Sequence, residues 1–372
     1  MATNTPNLEL LKKNPTTDGS DTFNIQTMLN DNWDKIDSFA GSLDTKLAGL
    51  LHDDTKTDLL LPSDATPDDA FKILAGILGI TYILASSGVT VTASSGSTTK
   101  TAVAASNGIA TFKGLPYGDW TFSATISGST KTKTLTIDVQ KVRYVSLRAL
   151  NDLSWAQISI LCTSGAISEV FALGDTKDVS LSGIGTMTLQ IADFNHDYLS
   201  SSTTASKAPV TFLCKNLLYS DYRMNSSSTN SGGFMSSALK STLNSTILNA
   251  LPSDLRSIIK TCYKWYGTGN ATQNGAWGGC KIWIPLEYEI LGTTQFSPTG
   301  EKTTGNARQY PIFTDSDSRI KIRNNGTGST SPYWLASPYQ YGRDAFCRVA
   351  IDGIPYYNNA EISNGVCFGL CV

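Results

Sequence analysis

Histidine and charge are what this chain has least of. Two histidines, His52 and His196, stand among 372 residues, so imidazole-based zinc sites and triads with a His base lack their raw material. Charged residues are 16% of the chain against roughly 25% in an average globular protein, and the net charge is -2. That balance leaves no basic field for nucleic acid or anionic lipid. Long apolar runs are missing too. The most apolar, residues 73–85, is broken by glycines and too short to cross a bilayer, and residues 1–13 hold no apolar core of signal-peptide length. Neither membrane insertion nor classical secretion is expected. The seven cysteines form an odd set with no Cys-x-x-Cys pair, which points to buried free thiols and assembly in a reducing cytoplasm. The last absence is local: residues 336–360 contain no Lys, Glu, Met or Trp.

The weakly charged, Ser-, Thr-, Asn- and Gly-rich composition suits a multidomain α+β chain of four stretches. Residues 1–23, polar and turn-rich, read as an attachment arm. Residues 24–79 read as a coiled-coil helix and connector. Asn24 can cap a helix whose apolar residues Leu29, Trp33, Ile36, Ala40, Leu43, Leu47 and Leu50 step by four and three, the seam of a multimer. A parallel trimer is the preferred count. A second helix start lies at Thr66-Pro67-Asp68-Asp69. In residues 80–150 the period changes to two, with strands at Val89-Thr90-Val91-Thr92, Ala110-Thr111-Phe112, Trp120-Thr121-Phe122-Ser123 and Thr134-Leu135-Thr136-Ile137. Turns at Ser95-Gly96, Asn107-Gly108 and Ser127-Gly128 separate them, predicting a small antiparallel β-sandwich.

Residues 151–372 hold the candidate site. Phe346, Val349 and Ile351 are buried-strand candidates, and Asp352-Gly353 is a turn signal. Around them Tyr, Asn, Asp, Arg and Ser fill the other positions, a mixture that contact surfaces favour. The missing residue types fit substitution of asparagine-type codons at their adenines. Framed by Trp334-Leu335-x-Ser337-Pro338 and Gly365-Val366, the segment resembles the variable region of diversity-generating retroelement target proteins, C-type-lectin-fold receptor binders of some phage tails. Gln340 and Cys367-Phe368-Gly369 depart from that pattern. The resemblance implies a ligand-binding set of Ala336, Tyr339, Tyr341, Arg343, Asp344, Arg348, Asp352, Ile354, Tyr356, Tyr357 and Asn358.

Three further stretches agree with it. Asn7-Leu8 through Asn24 and Asn32-Trp33-Asp34-Lys35-Ile36-Asp37 resemble the N-terminal segment of tail-fibre and baseplate-associated proteins of phages of Gram-positive bacteria. Asn107-Gly108-x-Ala110-x-Phe112 with Gly114-Leu115-Pro116-x-Gly118 is similar to prealbumin-like and carboxypeptidase-regulatory-like β-domains, usually spacers. The run from Cys280-Lys281-Ile282-Trp283 through Tyr288-Glu289 resembles prophage-encoded lectin-like domains related to the formylglycine-generating-enzyme fold.

Chemistry finds little support. The oxidase of that fold needs a pair of exposed, activated thiols, and the only pair by family position, Cys347 and Cys367, has apolar neighbours; adjacent strands could still bring the two together. Asp193-x-Asn195-x-Asp197 has the spacing of a calcium loop but lacks its Gly and closing Glu, so a turn or strand end is expected. Glu287 and Glu289, placed on one side of a strand, do not face each other across a cleft as a glycosidase needs. The expectation is therefore a virion protein without catalysis, cofactor or metal. It binds the phage tail through its N-terminus and a bacterial surface glycan or protein through its C-terminal domain. The alternatives are a purely structural baseplate or fibre component and, behind it, the oxidase.

Overall fold

The computed structural model describes residues 79–372 apart from 325–327, together with Thr3–Asn4, Leu11–Lys12, Ile36 and Ser38. The chain divides into two compact units, Met1–Gly79 and Ile80–Val372. In the first, Thr3–Asn4 (β1) pairs antiparallel with Leu11–Lys12 (β2), and Ile36 and Ser38 have helical backbone. The other seam positions, Leu29, Trp33, Ala40, Leu43, Leu47 and Leu50, and the helix start at Thr66, lie outside the described residues.

The α+β expectation with a long coiled-coil helix is corrected. Among the described residues strand outweighs helix by 37% to 18%, and these residues form a set of small sheets joined by short helices. Among the described residues the longest α-helix is Trp155–Thr163, opened by a capping box in which Ser154 and Gln157 bond reciprocally. Two physical reasons account for the shortfall. Helices here are short because breakers bound them, Gly165 following Trp155–Thr163 and Pro252 standing between Leu248–Ala250 and Ser253–Ile258, and polar segments without apolar alternation pair as strands regardless.

The second unit begins with β3 (Ile80–Leu84), β4 (Thr90–Ser95), β5 (Thr98–Val103), β6 (Ile109–Lys113), β7 (Gly118–Ile126), β8 (Ser129–Ile137) and β9 (Arg143–Ser146). They form two sheets, ordered β6-β3-β9 and β5-β4-β7-β8. The hairpin turns at Gly96 and Gly128 have positive φ, as does Gly108 in the turn that passes from one sheet to the other. The expected purely antiparallel arrangement needs one amendment, because β3 and β9 run parallel. Ile83, Val91, Phe112, Trp120 and Phe122 share a core of their own.

A larger core serves the rest. Strands β10 (Thr176–Leu181), β11 (Gly185–Phe194) and β12 (Val210–Cys214) make an antiparallel sheet that the C-terminal β20 (Gly369–Cys371) completes. Two-residue strands β13 (Tyr222–Arg223) and β19 (Ser363–Asn364) pair, as do β14 (Cys262–Gly267) and β15 (Gly275–Cys280). The candidate segment forms β16 (Tyr333–Pro338), β17 (Ala345–Val349) and β18 (Pro355–Asn359), an antiparallel sheet with β17 in the middle. Trp283, Trp334, Phe346 and Phe368 are fully buried, each contributing about 1.5–3 kcal/mol or more by leaving water.

A candidate ligand-binding face on the C-terminal sheet

The sheet carrying the candidate residues is fastened from below. All six residues of β16 are buried, and its landmarks are structural. The Trp334 indole donates to Tyr222 O at 2.8 Å, and Ser337 Oγ accepts from Glu287 N at 2.8 Å. Gly365 is close-packed: a Cβ there would lie 2.5 Å from Leu217 and 3.0 Å from Pro332 O. Phe346 and Val349 are buried as expected, whereas Ile351 stands in the following turn, 57% exposed. Gly353 holds that turn with φ of 76°, and a side chain there would meet Ser316 O at 1.9 Å.

The loop between β16 and β17 is held by a residue far away in sequence. Asn230, fully buried, donates from Nδ2 towards three carbonyls, Gly342 and Ala345 at 2.9 Å each and Tyr339 at 3.3 Å. Its backbone N donates to Arg343 O at 2.8 Å, and its Oδ1 accepts from Asn270 N at 2.8 Å. An irregular loop is thereby given the fixed backbone bonds that a strand would have. Gln340 belongs to the same frame. It is buried, and its N–H donates to Phe296 O at 2.9 Å, which explains why it departs from the exposed positions around it.

On this frame the tyrosines form a column. Tyr339 and Tyr357 stack at 3.9 Å between centroids with 11° between planes, and Tyr357 and Tyr356 at 5.2 Å with 4°. Tyr341 meets Tyr339 edge-on at 5.7 Å. Phe296 touches three of the rings, the nearest being Tyr357 at 5.4 Å. Phe296 lay outside the expected set. It is placed by Glu287, whose buried carboxylate accepts from Phe296 N at 2.9 Å and Ser297 N at 2.7 Å. Glu287 and Glu289 are thus not strand neighbours but part of a short helix, Glu287–Leu291.

The remaining expected residues divide cleanly. Tyr341, Arg343, Asp344, Asp352, Ile354 and Tyr356 are exposed, while Tyr339, Arg348, Tyr357 and Asn358 are half-buried within the same surface. Ala336 is the exception. It is fully buried in β16, with its N–H donating to Pro285 O, so it belongs to the core and not to the face. The result is a surface of rigid aromatic area with polar groups at its margin, suited to binding.

A second cluster tests the metal reading. His196, Asp197 and Glu289 bring donor atoms within 4.8 Å of one another, and all are buried. The ammonium of Lys264 bonds both carboxylates and stands where a cation would be held, 4.0 Å from the Trp283 ring centroid. Burial opposes ionisation of Asp197, but Lys264 and His196 outweigh it and hold its pKa down at about 2. Burial likewise opposes charge on His196, and hydrogen bonds to Asp193 and Glu289 raise its pKa despite it. Asp193 also pairs with Arg308 at 2.6 Å. The Asp193-x-Asn195-x-Asp197 stretch is therefore the end of β11 and the bend after it, with carboxylates that face the protein's own cations, buried Lys264 and exposed Arg308.

The oxidase pair fares no better. All seven cysteines are free and buried. Burial raises the thiol pKa of Cys347 and Cys367, the reverse of what a reactive thiol needs. Nor do the two meet: Cys347 lies opposite Tyr357 in the sheet, and the Cys367 thiol lies 3.4 Å from Cys214 O.

A family model described as "Domain of unknown function (DUF6273)" matches residues 209–368, from β12 through the whole candidate face. No curated protein matches the chain.

Proposed function

We propose that this chain is a receptor-binding protein of a phage or prophage tail fibre, engaging a bacterial surface ligand through the outward side chains of residues 339–358. One observation carries the reading. Tyr341, Ile351, Ile354 and Tyr356 are four of the ten exposed large hydrophobic residues among those described, all four within residues 339–358, and a fifth, Ile362, follows just after. Apolar side chains gathered in the open and rimmed by polar groups mark a contact surface, whereas single ones do not. The Asn230 and Glu287 anchors support the same reading, since a preorganised surface loses less entropy on binding. In a homotrimer attached to the tail through the N-terminus, three such faces would act together and gain from effective concentration.

The test is adsorption of the fluorescently labelled full chain to a panel of bacterial strains. Replacing Tyr341 and Tyr356 by Ala is expected to weaken cell binding by about tenfold or more, worth about 1.4 kcal/mol, with folding stability changed by only about 0.5 kcal/mol. Unchanged cell binding by that variant, with loss of incorporation into tails, would favour the structural fibre component instead.

A further inference from the structure

Behind the tyrosine column lies a pair of carboxyl groups whose consequence for the face rests on the receptor-binding reading above. Glu287, Ser297, Glu301 and Ser337 are all fully buried. The Glu287 carboxylate is held by backbone: Phe296 N donates to its two oxygens at 3.1 and 2.9 Å, and Ser297 N to one of them at 2.7 Å. Glu301 has no such donor among the described residues. Neither of its oxygens makes a hydrogen bond of normal geometry, and neither does the Ser297 hydroxyl near it. Ser337, also near it, bonds Glu287 N through Oγ, so the two carboxyls share their neighbours. Glu289, from the same helix as Glu287, and the Cys347 thiol of β17 bring it no positive charge. His196, Lys264 and Arg308 line a cavity with Glu301, as do Asp197, Tyr198 and Tyr263, but each of these cations is already paired with Asp193, Asp197 or Glu289. Of two neighbouring carboxyls, the one supplied with N–H donors stays the anion and the one without them keeps the proton. Burial raises the pKa of both, well above the ordinary 4.5 for Glu301, while backbone hydrogen bonds pull Glu287 back.

We propose that Glu301, holding the proton of a buried acid–carboxylate pair with Glu287, is a pH-sensitive lock on the ligand face. The segment that Glu287 holds is the one that reaches the face. Phe296 O accepts from Gln340 N at 2.9 Å, and the Phe296 ring touches Tyr339, Tyr356 and Tyr357. While Glu301 is protonated, Glu287 is the single anion of the pair and keeps Phe296 and Ser297 in place. Loss of the Glu301 proton to solvent puts two like charges in one water-free space. Opening of residues 295–301 relieves that repulsion, because water then reaches both carboxylates, and it draws Phe296 away from the tyrosines. An opened segment carries an ordinary carboxyl, so opening releases the proton that the closed segment holds. The lock is therefore fully present below the ordinary carboxylate range and weakens as pH rises towards the pKa of the closed state, by about tenfold in the opening equilibrium per pH unit. Receptor binding is strongest in mild acid and falls towards alkaline pH.

The experiment follows hydrogen exchange of the full chain from about pH 5 to about pH 9, each rate divided by the chemical exchange rate at that pH. Protection of the Phe296, Ser297 and Gln340 amides is expected to fall by about tenfold per pH unit and then level off. Glu301→Gln cannot ionise and should hold that protection constant. A variant that keeps the parent's slope assigns the response to another group, His196 first, and overturns the proposal. Parent protection that ignores pH overturns it as well. A second measurement needs no variant: in the parent chain labelled with 13C at its glutamate carboxyls, an infrared carboxylic-acid band should persist at about pH 6, where ordinary carboxyls are ionised. Its absence there removes the proton from Glu301 and the lock with it. Cell binding by the parent should decline over the same pH range, and binding by Glu301→Gln should not. Parent binding that stays constant while protection falls shows that the segment does not govern the face. A chain that binds no strain at any pH sinks the receptor-binding reading, and the exchange data still decide the lock.

Discussion

Glu301 shows how a single carboxyl can set the pH response of this fold. It is fully buried in the short helix Gly300–Thr303, and neither of its oxygens makes a hydrogen bond of normal geometry. Burial raises its pKa well above the ordinary carboxylate value of 4.5; the Ser337 and Ser297 hydroxyls offset part of this, and the Glu287 charge adds to it. The folded state therefore binds this proton more tightly than the unfolded chain. The stability linked to it is fully present below the unfolded pKa and is lost as pH rises through the folded one. Glu301→Gln keeps the shape and removes the titration. The variant should melt higher than the parent at about pH 8, and the advantage should vanish towards about pH 4. A difference in melting temperature that stays constant with pH would show that Glu301 does not titrate between the two states.

At the scale of elements, the loop 339–345 is ordered by one side chain more than a hundred residues away. Asn230→Ala strands the Tyr339 and Gly342 carbonyls and the Asn270 N–H, each buried group costing about 1–3 kcal/mol if it finds no water, while Ala345 O keeps the N–H of Tyr339. Hydrogen exchange of the amides in 339–345 should accelerate in this variant, while β17 and β18 keep their protection. Uniform acceleration across the sheet would place Asn230 in the global core instead. Much of this face was legible in the sequence. The Tyr, Arg, Asp and Asn content pointed to solvent-facing side chains, Asp352-Gly353 announced the turn, and Trp334, Ser337 and Gly365 announced the frame. Asn230, Phe296 and the Arg348–Asn364 contact were not legible, because each acts through a partner distant in sequence and no local period reports that. Ala336 was misplaced for a related reason. A small residue in a strand has no local mark of which side is covered, and here Ala336 is fully buried with its backbone N–H bonded to Pro285 O.

Over the whole molecule, two hydrophobic cores divide Ile80–Val372, one inside the β3–β9 sheets and one beneath everything after them. The two meet where the capping-box side chain Gln157 donates to Asn107 O at 2.9 Å. The turn glycines of the first module were readable from Asn107-Gly108 and Ser127-Gly128, whereas β5, polar and mostly exposed, gave no apolar alternation to read. The balance of helix and strand was misjudged because segments such as β5 form strands without an alternating pattern, while the helices among the described residues stay short. The account rests on a division of labour in the C-terminal sheet, with inward residues building a scaffold and outward residues choosing the ligand. It is tested most directly by replacing Tyr341, Arg343, Asp344, Asp352, Ile354 and Tyr356 by Ser together in the full chain, then measuring thermal unfolding and cell binding on the same sample. The prediction is cooperative unfolding within about 5 °C of the parent and complete loss of binding. Loss of cooperative unfolding, or binding that survives all six changes, would contradict it.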